Sequence, residues 1–237
     1  MAWKSKRKVM HAYDVTAEMY DERYSEEQHR KYQRALENVD VMGVAVLDVG
    51  CGQGSLLGEL RAQFPHIQPA GMDLSGKAID LARRRVPEGK FFAGDLTREP
   101  LNDKFDLVIC SEVLEHIPDD IIAMRNLARM TGKYLVVSAP QGCMRRFEAA
   151  MGHVRNYAYG ELVGKLEQNG FRMVQVIEWG FPFYSPVYRN FLEFMGGRGT
   201  EGGFGPGRKL ISFALYHLFK LNSSKHGDEI VALAEIA

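Results

Sequence analysis

The sequence predicts an α/β domain with a mainly parallel sheet flanked by helices. Three observations carry this. From residue 43 to 140, short β-branched runs alternate with segments that repeat apolar residues at helical spacing. A cluster of glycines separates the first apolar run from the first helical pattern. Of the 237 residues, 46% are hydrophobic and 25% charged, an ordinary globular balance with room for a sizeable core.

Residues 11–38 are polar and helix-friendly, with Tyr13, Tyr20, Tyr24 and Tyr32 along them, so a helical cap is expected over 1–40. Val44–Val49 reads as a buried strand, and Ser55–Phe64 as a helix with Leu56, Leu60 and Phe64 on one face. Ile67–Asp73 is a second strand. Ser75 can cap a helix carrying Ala78, Ala82 and Val86. Lys90–Ala93 and Phe105–Cys110 are the third and fourth strands. Pro118, Asp119 and Asp120 open the next helix, with proline and acids in its first turn. Tyr134–Ala139 is the fifth strand, and an irregular stretch follows Pro140. A helix from about Tyr159 ends at Asn169-Gly170. Phe171–Trp179 is a sixth strand and residues 229–236 a last one. This divides the chain into a cap at 1–40, a core at 41–179, an aromatic-rich helical insertion at 180–226 and a final strand at 227–237. The glycine-rich patch at 196–207 reads as a flexible linker or loop.

Thirty basic residues balance thirty acidic ones, so no overall field draws the chain onto nucleic acid. The short run Lys4, Lys6, Arg7 and Lys8 reads as a solvated terminus. The three cysteines are widely spaced and odd in number, which fits neither a disulfide framework nor a zinc site but fits a reducing compartment. No stretch reaches the roughly 18 apolar residues of a membrane span, and no secretory signal is visible. A cytoplasmic protein is expected.

The chemistry concentrates at Asp48-Val49-Gly50-Cys51-Gly52-Gln53-Gly54. Glycines at a strand end let the backbone turn sharply and let a ligand approach closely, although a plain tight turn would look similar. Dinucleotide sites favour Gly-x-Gly-x-x-Gly, where a pyrophosphate sits on the helix N-terminus. Here the spacing is Gly-x-Gly-x-Gly, and Asp48 would repel a pyrophosphate while suiting a cationic ligand. Asp73 closes the second strand, where a carboxylate accepts from ribose hydroxyls. Asp95 follows the third strand and can accept from an adenine amine. Each acid alone would pass for a cap or turn residue. Three of them after three successive strands point to one crevice.

Val46 to Gly54 resembles motif I of the class I S-adenosylmethionine-dependent methyltransferases. Ala70-Gly71-Met72-Asp73-Leu74-Ser75 resembles their second-strand motif. Phe105 to Ile117, with Cys110-Ser111-Glu112-Val113-Leu114-Glu115-His116, is similar to their fourth-strand motif in a subgroup resembling quinone-biosynthesis and small-molecule methyltransferases, as is Gly152 to Tyr157. The resemblance covers residues 40–180 and the last strand. It implies a Rossmann-like, seven-stranded sheet with an antiparallel last strand. It also implies that Gly50, Gly52, Asp73, Asp95, Leu96 and Ser111 contact the cofactor, S-adenosylmethionine. Asp48, Cys51, Gly54, Leu74 and Glu112 complete the expected cofactor set.

The transfer is an in-line displacement that needs no metal, so no metal ligands are assigned; its product is S-adenosylhomocysteine. Alignment of nucleophile, methyl and sulfur supplies several kcal/mol. A hydroxyl nucleophile gains from a base, typically about 10²–10⁴-fold, and His116 and His153 are the candidates. Each also has a structural reading, as an ordering residue of its loop. Phe183 and Tyr184 of the aromatic-rich insertion, which suits an apolar or aromatic small molecule, are candidate substrate contacts, with Tyr24 of the N-terminal tyrosines on the other side and Arg155 and Tyr157 from the Gly152–Tyr157 resemblance. The expected activity is methylation of a small-molecule acceptor, on oxygen, in biosynthesis. The alternatives are a lipid-like or quinone acceptor at a membrane surface, and a non-catalytic cofactor-binding partner or regulatory subunit. The oligomeric state is not legible.

Overall fold

The computed structural model describes residues 43–98, 100–194, 214–215, 217–223 and 225–237. The expected cap at 1–40, the glycine patch at 196–207 and Tyr24 lie outside them.

Seven strands form one sheet: β1 (Ala45–Val49), β2 (Gln68–Asp73), β3 (Lys90–Ala93), β4 (Phe105–Ser111), β5 (Thr131–Pro140), β6 (Phe171–Trp179) and β7 (Glu229–Ile236). The order across the sheet is β3-β2-β1-β4-β5-β7-β6. β1 pairs in parallel with β2 and β4, and β5 extends that parallel run, whereas β7 is antiparallel to both β5 and β6. The expected Rossmann-like sheet with an antiparallel last strand is therefore present.

The strand order reverses between β1 and β4. At such a switch point the following connections leave in opposite directions and open a crevice beyond the carboxyl ends of the strands. Residues of alternate parity feed two apolar layers. Leu47, Val49, Val108, Cys110, Leu135 and Val137 face one side with the helix α3 (Asp120–Met130) and α5 (Glu161–Gln168). Val46, Leu107, Ile109, Val136, Val231 and Leu233 face the other, with α1 (Ser55–Gln63) and α2 (Gly76–Arg85). Helices thus cover both faces.

The caps form as the residue types require. Ser75 Oγ accepts from Ala78 N at 3.1 Å, and Asp119 Oδ1 accepts from Ile122 N at 3.2 Å. The structure departs from expectation after Pro140. The stretch read as irregular holds α4 (Arg146–Ala150), where Glu148 Oε2 accepts from Arg145 N at 2.7 Å. A five-residue helix is too short to leave an apolar period in the sequence. Within the insertion, α6 (Arg189–Phe194) follows the Pro182–Tyr188 turns. Trp179, Tyr184, Tyr188 and Phe219 form a ring cluster there, with Trp179 and Tyr184 centroids 5.0 Å apart.

Candidate active site

β1 delivers the chain to a bend that its glycines make feasible. Gly50 (φ 80°) and Gly52 (φ 52°) lie in the left-handed region, which other residues rarely adopt. The amides of Gly50 and Cys51 both donate to the Met72 carbonyl, at 2.7 and 3.1 Å. A Cβ on Gly50 would run into Val113, whereas one on Gly52 meets nothing within 4 Å among the described residues. The bend thus packs on one side and stays open on the other.

Asp73 ties the bend to β2. Its Oδ2 accepts from Gly52 N at 2.9 Å and its Oδ1 from Ser75 N at 2.8 Å. Its carbonyl accepts from Gly94 N at 2.9 Å, so the residue before Asp95 is held at the end of β2. Leu74, next to Asp73, is exposed. Asp95 Oδ1 accepts from the amide and hydroxyl of Thr97 at 2.9 and 2.7 Å. Leu96 is buried, and its carbonyl accepts from Asn126 Nδ2 at 2.7 Å. Gly54 leads into α1 and abuts Ala82 of α2.

Asp48 is 3% exposed. Burial, and then the neighbouring Asp73, push its carboxyl up to about 7. Both causes oppose its negative charge, so a ligand bringing positive charge gains there. The same burial and the same two acids push the Cys51 thiol up. An adenosyl sulfonium fits this set of groups. The bend at Gly52 would admit close approach, Asp73 is the carboxylate placed to meet ribose hydroxyls, and Asp48 would favour a cation.

At the ends of β4 and β5 lies a second cluster. Ser111 and Ser138 hydroxyls are 3.3 Å apart, and Ser138 Oγ donates to Glu112 Oε1 at 2.6 Å. Glu112 is held at φ 52°, alone among the described non-glycine residues in having positive φ. Strain of this kind persists only where the surroundings over-determine it, and such positions gather at functional sites. The turn Leu114–His116 follows. His116 meets His153 edge to face with ring centroids 4.7 Å apart. Burial, and then His153, lower the His116 value to about 4; burial also lowers that of His153. Both shifts favour the uncharged ring. His116 Nε2 lies 3.7 Å from Glu115 Oε1. Glu115 is fully buried, and burial, then Glu112, hold its carboxyl well above the usual range.

The candidate substrate contacts lie on the loop before α5 and on the insertion. Arg155 donates to the carbonyls of Ile117 and Pro118, each at 2.6 Å, and stands 3.2 Å from Asp120. Tyr157 is 0% exposed, and its hydroxyl donates to Asp120 at 3.0 Å. Both fasten the loop before α5 to the start of α3, and the Tyr157 amide also donates to the Pro140 carbonyl at the end of β5, at 3.0 Å. Phe183 and Tyr184 pack, half-buried, against the apolar layer that contains Trp179. Sequence reading missed Ser138, Glu148, Arg189 and Asp228. Arg189, 2% exposed, pairs with Glu148 and stands 2.9 Å from Asp228. No local signal marks the long-range contacts of these residues, since Ser138 meets Glu112 across 26 positions and Arg189 meets Glu148 across 41.

Residues 46–133 match a family described as a methyltransferase domain. The chain is 24% identical to the demethylmenaquinone methyltransferase of Thermotoga maritima over 221 residues, covering 87% of this chain and 93% of that protein. It is 34% identical over 106 residues to a ubiquinone biosynthesis O-methyltransferase of Aromatoleum aromaticum, covering 40% of this chain and 44% of that one. Among solved structures, a TehB-like SAM-dependent methyltransferase from Corynebacterium glutamicum shares the fold, with a TM-score of 0.59 at 19% identity over 94% of this chain and 99% of that one. The glycine bend and the acids behind it agree with these likenesses: residues 46–133 match a methyltransferase domain, and over most of its length the chain is similar to methyltransferases, with the fold of an S-adenosylmethionine-dependent one.

Proposed function

We propose that this enzyme methylates an oxygen of a small-molecule acceptor in biosynthesis, with the acceptor's proton taken up at the His116–His153 pair. The cofactor, when bound, supplies an activated methyl carbon and its own leaving group. The chain's residues do the rest. The Gly52 bend and Asp73 position the adenosyl end, and Asp48 balances the cationic end. The buried strand ends exclude water, and one of two neutral imidazoles accepts the hydroxyl proton. One observation carries the reading. Two uncharged histidines meet 4.7 Å apart just beyond β4, one turn from the bend that Val113 braces. The partial match to an enzyme named for O-methylation in ubiquinone biosynthesis supports an oxygen acceptor. The reading carries a small molecule rather than nucleic acid as partner, and a cytoplasmic setting. Among the described residues, no helix is long and apolar enough to cross a membrane.

A second reading has its own support. Phe181, Val187, Phe191 and Phe194 are all exposed on the insertion, Phe194 at 87%, which suits a lipid-like or quinone acceptor met at a membrane surface. A non-catalytic cofactor-binding role would leave the histidine pair without a task. The test is to incubate the purified chain with S-adenosylmethionine and panels of hydroxylated aromatic acids and quinols. S-adenosylhomocysteine and methylated product are followed by mass spectrometry. Product from a hydroxyl acceptor is expected, and its absence across both panels overturns the proposal. Co-sedimentation with anionic liposomes decides between the two acceptor classes.

A further inference from the structure

We propose that Tyr159, Phe181 and His226 form a shelf for the far ring of a multi-ring aromatic acceptor. Tyr159 stacks on His226 with ring centroids 6.2 Å apart and an interplanar angle of 11°. Phe181 meets His226 at 5.2 Å and 65°. All three rings are exposed, Tyr159 at 53% and Phe181 at 44%. The Trp179 ring cluster, by contrast, packs into an apolar layer of the domain.

The fold fixes where the shelf stands. Pro140 at the end of β5 lies opposite Glu229 at the start of β7, and Glu229 lies opposite Trp179 at the end of β6. The segments that carry Phe181 and His226 therefore leave the sheet at the edge where β4 and β5 end. Two hydrogen bonds join them into a neck of the insertion: Phe181 N donates to the His226 carbonyl at 3.2 Å, and Ser223 N to the Phe181 carbonyl at 2.7 Å. From the loop before α5, Tyr159 Oη donates to Asp228 Oδ1 at 2.5 Å. Gly142, just beyond β5, allows this close approach, since a Cβ there would stand 3.0 Å from Asp228 Oδ1 and 3.3 Å from the Tyr159 hydroxyl. Contacts continue to the histidine pair. Asp228 is 2.9 Å from Arg189, Arg189 pairs with Glu148, and the Glu148 carbonyl accepts from His153 N at 3.1 Å.

Chemistry selects the occupant. Asp228, the acid beside Tyr159, is committed to Tyr159, Ser185, Arg145 and Arg189. A sugar would need polar partners for its hydroxyls, whereas the shelf presents ring faces and edges. Aromatic rings pair by offset stacking or edge to face, and the two inclinations around His226 offer both. Exposed groups of large rings also mark binding surfaces. Neighbouring strands are about 4.8 Å apart, so β7 lies about 10 Å along the edge from β4. A two-ring acceptor covers that distance and a single ring does not. The role as an acceptor subsite rests on the small-molecule reading above; the capacity to hold a ring does not.

The test titrates the full-length chain, saturated with S-adenosylhomocysteine, with 4-phenylcatechol, catechol and 4-cyclohexylcatechol by calorimetry. 4-Phenylcatechol should bind about tenfold more tightly than either of the others, because stacking adds to the burial of the ring. In proton NMR it should shift the His226 ring resonances, identified by their loss in His226→Asn. Tyr159→Ala and Phe181→Ala should each remove most of the phenyl advantage and leave the affinities for catechol and S-adenosylhomocysteine unchanged. Tyr159→Phe keeps the ring and loses the bond to Asp228, so it should keep the advantage; losing it would make Tyr159 a brace for Asp228 and overturn the shelf. Equal affinities for the phenyl and cyclohexyl probes, or unmoved His226 resonances, overturn it in the wild-type chain, where no variant has to fold. Methylated product from a hydroxyl acceptor beside either of those results strikes the shelf and leaves the proposed activity standing. A shelf that passes while no acceptor is methylated sinks the activity and leaves a ring-binding site.

Discussion

The amide of Gly52 donates to Asp73 Oδ2 at 2.9 Å, joining two loops 21 residues apart. One carboxylate therefore fixes the bend after β1 and, through Ser75 N at 2.8 Å, the start of α2. Asp73→Ala removes two charge-assisted hydrogen bonds, each worth about 1.5–3 kcal/mol, together with the acceptor for ribose hydroxyls. Affinity for S-adenosylmethionine should fall by about 10–100-fold in calorimetry, with a lower Tm for the unliganded protein. An unchanged dissociation constant would separate Asp73 from the cofactor.

Asp48 makes a pH dependence calculable in sign. Its folded value of about 7 lies above the ordinary carboxyl value of 3.8, through burial first and Asp73 second. The native chain therefore holds this proton more tightly than the unfolded chain. The associated stability is complete below the unfolded value and is lost as pH rises through about 7, by at most about 4 kcal/mol. A cationic ligand favours the ionised form, so its binding below pH 7 must release a proton. The dissociation constant for S-adenosylmethionine should fall as pH rises from 6 to 7 and level off above. Asp48→Asn should flatten that curve and raise the Tm of the unliganded protein at pH 8. A curve of the same slope in both proteins would remove Asp48 from the cationic end of the site.

The two bend glycines should fail in different ways. Both Gly50→Ala and Gly52→Ala strain a left-handed backbone, at a cost of about 1–2 kcal/mol. At Gly50 the new methyl also runs into Val113, which braces the bend from the loop after β4. At Gly52 it meets open space. Gly50→Ala should therefore lower Tm more than Gly52→Ala. Gly52→Ala should raise the dissociation constant for the cofactor at least tenfold while the fold persists. Thermal melts with and without S-adenosylhomocysteine measure both effects.

The histidine pair predicts a split between binding and turnover. His116→Ala removes the ring that lies beside both Glu115 and His153. If the pair handles the acceptor's proton, kcat should fall by about 10²-fold or more, with cofactor affinity held within about threefold. Calorimetry and steady-state kinetics on the same preparation check this. A parallel loss of both would make His116 a packing residue of the β4 loop.

Where a residue's role is local, the sequence displays it. The glycine bend needs left-handed backbone, so glycines stand there. The acids at Asp48, Asp73 and Asp95 end successive strands, and the parallel sheet brings such ends together by its topology. Ser75 and Asp119 cap helices that begin at the next residue. Long-range pairings leave no such trace. Glu148 sits in a helix too short to show a period, and its partner Arg189 lies in a segment whose aromatic content dominates any reading. Arg155 and Tyr157 have residue types common at binding sites, yet both are drawn to Asp120, whose carboxylate also holds Lys165 at 2.8 Å. That convergence depends on how α5 lies beside α3, which no sequence window contains.

Arg189 gives the clearest stability test, because its charge is nearly enclosed. It is 2% exposed and is flanked by Glu148 and Asp228, and it reaches the carbonyls of Gln141 and Asp228 at 3.4 Å. It therefore joins α6, α4 and the start of β7 around one guanidinium. Replacing it by methionine fills much of its volume but takes the paired cation from Glu148, whereas Asp228 keeps Arg145 at 3.6 Å; breaking a buried pair from one side costs about 3–5 kcal/mol. Replacing Glu148 by glutamine at the same time removes the uncompensated charge and should recover part of that loss. In chemical denaturation, Arg189→Met should lower the midpoint with the slope unchanged, and the double variant should lie between it and the wild type. A single variant as stable as the wild type would mean that the ion pairs do no more than offset their own desolvation. The clasp between the insertion and the rest of the domain would then rest on the burial of Leu192, the Trp179 ring cluster and outer contacts such as Arg145 Nη2 to Asn190 Oδ1 at 2.9 Å.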